Sequence, residues 1–90
     1  MTRDELKVVV DVVHAYCGRD IKLSTGEEVV DSGAIGTNAA AMRLLVRYGL
    51  MEVDDEAGRR IRARWTAAVQ ELVREDHPQA AVAGGSANTE

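Results

Sequence analysis

Between Arg59 and Trp65 the chain alternates without a break: Arg60, Arg62 and Arg64 fall on one side of an extended backbone and Ile61, Ala63 and Trp65 on the other. Such a segment is predicted to be a strand with one apolar face to cover and one row of guanidinium groups facing water or an anion. A lone strand would leave its own N–H and C=O groups unpaired, so at least one partner strand is required. Leu50 to Val53 supplies it, with Asp54 to Gly58 as the turn between the two.

The rest of the chain reads mainly as helix. Thr2 and Glu5 form a capping box that opens a helix running to about Cys17 and stopping at Gly18. On a helical wheel Leu6, Val9, Val10, Val13, Tyr16 and Cys17 share a face, and Val8, Val12 and Ala15 widen it to an arc of roughly 220°. An apolar arc that wide predicts burial on two sides, and Val8, Val12 and Ala15 are the candidate interface of a homodimer built with the last helix. That last helix is expected over Thr66 to Glu75, with a Val69, Leu72, Val73 stripe and Pro78 behind it. Thr25-Gly26-Glu27-Glu28 reads as a second capping box, opening a short helix that Gly33 ends. The same residues also read as a hairpin, with Ser24-Thr25-Gly26 turning between Ile21-Lys22-Leu23 and Glu27-Glu28-Val29-Val30. A third helix is capped by Thr37 or Asn38 and runs to Tyr48, with Gly49 ending it. Its wheel is set with Ala41, Met42, Leu44, Leu45 and Tyr48 toward the core and Ala39, Ala40, Arg43, Val46 and Arg47 outside.

Ninety residues, 46% hydrophobic and 29% charged, suit one folded domain with a modest core, placed at residues 1–78, with an Ala/Gly/Ser tail at 79–90 expected to be disordered. The single cysteine, Cys17, cannot form an internal bridge and fits a reducing, cytoplasmic setting. The valine run near the N-terminus is too short and too interrupted for a signal peptide or a membrane span, so no membrane association is expected. Net charge is −4, which argues against indiscriminate coating of nucleic acid, yet six of the eleven basic residues lie between Arg43 and Arg64.

The expected order, mainly α with a small β-hairpin (α-α-α-β-β-α), is similar to the winged helix-turn-helix family of bacterial and phage DNA-binding regulators. The resemblance covers about residues 2 to 65 and is carried by Glu28-Val29-Val30-Asp31-Ser32-Gly33-Ala34-Ile35-Gly36, then by Leu44-Leu45 and Tyr48-Gly49-Leu50-Met51-Glu52-Val53. It implies a regulator of transcription in which the Thr37 to Tyr48 helix enters the major groove of double-stranded DNA and the Asp54 to Gly58 wing lies along the backbone. Thr37, Asn38, Arg43 and Arg47 are then the candidate readers, the arginines reaching guanine edges or phosphates. Arg59, Arg60, Arg62 and Arg64 are the candidate phosphate anchors.

A second class stands beside it: a protein-binding inhibitor or adaptor of phage type, of the anti-CRISPR kind, that occupies a basic partner surface through Asp54, Asp55 and Glu56. Chemistry finds no foothold, and no small-molecule substrate, cofactor or metal is expected. His14 and Cys17 stand at i and i+3, but a closed zinc site needs four ligands. Cys17 lies on an apolar helix face with no base to activate it. The carboxylates of the Asp54 to Glu56 turn lack the desolvation that would separate their pKa values, and Gly33 and Gly36 make no phosphate loop in the absence of a lysine.

Overall fold

Thr2 caps the first helix as the sequence requires: its hydroxyl accepts from the Glu5 N–H at 3.1 Å, and its own N–H donates to the Glu5 carboxylate at 2.7 Å. In the computed structural model, which describes residues 1–22 and 24–76, this helix is α1 (Arg3–Tyr16). It is followed by β1 (Gly18–Lys22), β2 (Glu27–Asp31), α2 (Gly36–Arg47), β3 (Met51–Ala57), β4 (Arg60–Trp65) and α3 (Ala67–Asp76). The expected stop at Pro78 and the tail at 79–90 lie outside the described residues.

The order is therefore α-β-β-α-β-β-α in place of the expected α-α-α-β-β-α, and the chain is α+β, with three helices and one four-stranded antiparallel sheet among the described residues. The difference lies at Thr25 to Ser32, which is hairpin and not helix. The alternating strand explains why. β4 has two edges; β3 satisfies one, and β2 pairs with the other through Val29↔Arg64, Val30↔Ala63 and Asp31↔Arg62. A helix of about eight residues would gain few internal hydrogen bonds against its nucleation cost and would leave that edge open. β1 then covers the outer edge of β2, giving the order β1-β2-β4-β3. Ser32 prolongs the β2–β4 ladder, its N–H donating to Ile61 O and its hydroxyl accepting from the Ile61 N–H, both at 3.0 Å.

The apolar face of β4 carries the core as the alternation predicts. Ile61, Ala63 and Trp65 are buried with Val30 and Met51, under Val10 and Val13 of α1, Ala39 and Met42 of α2 and the Val69, Leu72, Val73 stripe of α3. All three helices lie on this face of the sheet. α3 lays its Val69, Leu72, Val73 stripe in the core, and an exposed Arg3–Glu75 pair ties its far end to the start of α1.

Two helix faces differ from the wheels. α2 starts at Gly36 with Ile35 as its N-cap, ahead of Thr37 and Asn38, and the side turned to the sheet is Ala39, Met42 and Val46. The alanine permits close approach to β3 and β4, so the larger Leu44 and Tyr48, expected inside, are 44% and 69% exposed. Tyr16, also expected inside, is exposed at the end of α1. The helix does end at Gly49 in a Schellman turn: Leu50 N–H bonds to Leu45 O, Gly49 N–H bonds to Val46 O, and Gly49 takes φ +77°, a value glycine adopts without strain.

Candidate interaction surfaces

The sheet face opposite the helices is a lattice of charge. Pairing register places Lys22, Arg60, Arg62 and Arg64 there with Asp20, Glu27, Asp31, Glu52, Asp54 and Asp55, four cations against six carboxylates. Asp54 and Asp55 share the face because the β3–β4 register shifts between Val53 and Asp55, the signature of a bulge. They are strand residues, not the wing tip expected of them; the turn itself is only Gly58 and Arg59, with Gly58 at φ +61°.

Each arginine of the β4 row meets carboxylates of neighbouring strands. Arg60 holds Asp31 through Nε at 3.0 Å and through its terminal nitrogen. Arg62 pairs with Asp20 and lies 3.7 Å from Asp31. Arg64 donates to Asp54 at 2.8 Å, with Glu52 and Glu27 within 3.9 Å. The Arg60 hydrogen bond holds the Asp31 carboxyl below the usual carboxylate range against partial burial, helped by the Gly33 N–H and by Arg62; the same bond pushes Arg60 upward. Lys22 on one edge strand reaches 3.4 Å from Asp54 on the other. Three interstrand spacings separate those strands by about 14 Å in a flat sheet, so the face is concave and the lysine stem crosses it. Val29, at the centre of that face, is only 1% exposed; long cationic stems cover apolar surface in this way while their heads stay wet.

The remaining DNA-reading candidates are scattered. Arg43 of α2 is turned toward β3, donating to Glu56 at 2.8 and 3.2 Å. Asn38 donates to Tyr16 O at 2.8 Å, tying the start of α2 to the end of α1. Thr37 is exposed in the first turn of α2. Arg47 and Arg59 are exposed and make no ion pair among the described residues. Of the acidic set proposed for a basic partner, Asp54 and Glu56 are engaged within the chain and Asp55 has no ion pair among the described residues.

A second surface lies between α1 and α2. The tie at Asn38 and Tyr16, together with a depression shared by Met1, Tyr48 and Leu50, shows the two helices antiparallel. Between them runs an open groove of about 250 Å³ lined by Val8, Val9, Val12, Ala41, Leu44 and Leu45. Val8 and Val12, expected at an interface, are 60% and 51% exposed, and Ala15 is exposed beside them.

One buried group escaped sequence reading. Glu28 is on the helix side of β2, 3% exposed, and its Oε1 accepts from the Trp65 indole N–H at 2.7 Å and lies 2.6 Å from His14 Nε2. Arg19 stands 3.7 Å from the other oxygen and also donates to His14 O. The His14 side chain is thus almost covered. The only signal in the sequence was Glu28 beside Val29 and Val30, and it becomes informative only once the segment is a strand whose alternate residues turn inward. No group of three or more His, Cys, Asp or Glu residues is placed to hold a metal among the described residues. Burial, with Asp31 nearby, pushes the Cys17 thiol up, away from the reactive thiolate. No described helix is long and apolar enough to cross a membrane. Comparison with protein-family models, with curated proteins and with solved structures finds no match to this chain.

Proposed function

We propose that this chain is a non-enzymatic protein-binding module, and that duplex DNA is not its ligand. The observation that carries the reading is the occupation of the β4 arginines. To hand Arg60, Arg62 and Arg64 to phosphates, the chain must first release Asp31, Asp20 and Asp54 from them. Six carboxylates would then face the backbone from the same concave surface. A carboxylate and a phosphate 6 Å apart repel by about 0.7 kcal/mol even in water, and the repulsion is repeated along the face. The net charge of −4 adds to it at long range. Arg43 meets the same obstacle at Glu56. What the fold leaves uncovered is apolar: the groove between α1 and α2, where water is in contact with valine and leucine.

Fluorescence anisotropy of a random duplex, titrated with the chain at about 50 mM and 200 mM salt, tests this. The expectation is no saturable binding at tens of micromolar. Binding that weakens linearly in log salt, with a slope lowered by about one in each of Arg60→Ala, Arg62→Ala and Arg64→Ala, would restore the regulator reading.

A further inference from the structure

Resting on that protein-binding reading, we infer that the partner covering the α1–α2 face is a second copy of this chain, related by a two-fold axis running along the groove. On the sheet face nearly every charge is paired. Around the groove the pattern reverses: Asp4 and Asp11 on the outer flank of α1, and Arg47 on the outer flank of α2, make no ion pair among the described residues. On the wheel of α1 both aspartates stand on the flank of the Val8, Val12, Ala15 stripe away from α2, and on α2 Arg47 stands beyond Leu44, away from α1. Lys7 stands further round α1 than the two aspartates, and the Arg43–Glu56 pair lies beyond Arg47, so the apolar centre is bordered most closely by carboxylates on one side and by a guanidinium on the other.

A two-fold axis along the groove exchanges the two sides while keeping height along it. α1 of one copy then lies over α2 of the other, and the acidic rim meets the partner copy's basic rim twice. Because α1 and α2 are antiparallel, Arg47 is at the same end of the groove as the first turns of α1, between the levels of Asp4 and Asp11. Self-complementarity of this kind is what an isologous interface requires. A uniformly basic or acidic partner would match one rim and be repelled by the other. Tyr16 and Tyr48, exposed at opposite ends of the groove, add aromatic area of the kind in which interfaces are enriched. The size is small. Fourteen residues of α1 span about 21 Å, and two helices side by side are about 20 Å wide, so the pair buries about 840 Å² in all, below the range of stable specific interfaces and among the weak, transient ones. Self-association is therefore expected to be weak and visible only at high concentration.

Sedimentation equilibrium of the whole chain from about 1 to 500 μM, at low and high salt, tests the inference. Wild type is expected to pass from monomer to dimer. Leu44→Glu, at an exposed position that the core does not use, should leave it monomeric throughout with an unchanged far-UV circular dichroism spectrum. Arg47→Glu makes both rims acidic, and Asp4→Lys with Asp11→Lys makes both basic. Each should weaken self-association about tenfold or more at low salt, and a mixture of the two should form a mixed dimer tighter than either alone. A wild type that is monomeric at 500 μM overturns the second copy as occupant while leaving the protein-binding reading standing. A dimer indifferent to Leu44→Glu and to both rim variants overturns the α1–α2 face as its seat. Duplex binding in the anisotropy titration overturns the parent reading instead.

Discussion

Replacing Glu28 by alanine should be among the most costly single changes the fold can suffer outside its apolar core. The side chain is 3% exposed and one oxygen serves both the Trp65 indole and His14. Glu28→Ala leaves the Trp65 N–H buried without its acceptor, at about 1 to 3 kcal/mol for an unsatisfied donor. It also removes the anion beside Arg19 and His14, and breaking a buried charged contact brings the total to about 3 to 5 kcal/mol. A chain of this length has about 5 to 13 kcal/mol in all, so Tm should fall by roughly 15 to 30 °C. Glu28→Gln keeps an acceptor for the indole and should cost only about 1 to 2 kcal/mol. Urea unfolding followed by Trp65 fluorescence and by circular dichroism measures both. Should Glu28→Ala unfold within 1 kcal/mol of wild type with an unchanged urea dependence, or should alanine and glutamine cost the same, the account of Glu28 as the shared acceptor is wrong.

Acid should weaken the sheet through Asp31: its folded pKa lies below its unfolded value, so its contribution is complete at neutral pH and is lost as pH falls below about 4 through the depressed value. Urea midpoints measured from pH 7 to 2 should show that loss, and Asp31→Asn should flatten it. Trp65→Ala should cost about 3 to 5 kcal/mol, since the ring is 1% exposed in the core, and a red-shifted, freely quenched native emission would contradict that placement. Cys17, half-buried with its thiol pushed up, should react with a disulfide reagent at pH 8 many times more slowly in the native chain than in urea; equal rates would refute its shielding.

How much of this could be read from the sequence depended on whether a signal was local. The capping box at Thr2 and Glu5, the stop at Gly49, the alternation of β4 and the Val69, Leu72, Val73 stripe are all set by neighbours within four residues, and all of them stand. Thr25 to Ser32 was not decided locally. Its capping-box pattern and its hairpin pattern were both present, and the choice was made by the open edge of β4 some thirty residues away. The α2 wheel went astray for a related reason. Leu44 and Tyr48 are larger and more apolar than Ala39, but a helix lying directly on a sheet needs its small residue at the contact, and no property of the helix alone announces what it will lie on.

The arginine row shows the same division at the level of function. Alternation established that Arg60, Arg62 and Arg64 share a face, and in isolation such a row suits a phosphate backbone. Whether they are free to meet one is a property of register. Asp31 is bound to Arg60 from β2, Asp20 to Arg62 from β1 and Asp54 to Arg64 from β3, so the three carboxylates that occupy the row come from three strands spread over 35 positions of sequence. A slip of one residue in a pairing would turn the slipped strand's carboxylate to the other face and take it from its arginine. The register that neutralises them also directs Glu28 inward to Trp65 and seals Val29 beneath the cationic stems. Once the sheet has satisfied its charges internally, the unspent surface is the one the strand never advertised: the valines and leucines between α1 and α2, with Asp4, Asp11 and Arg47 on their flanks.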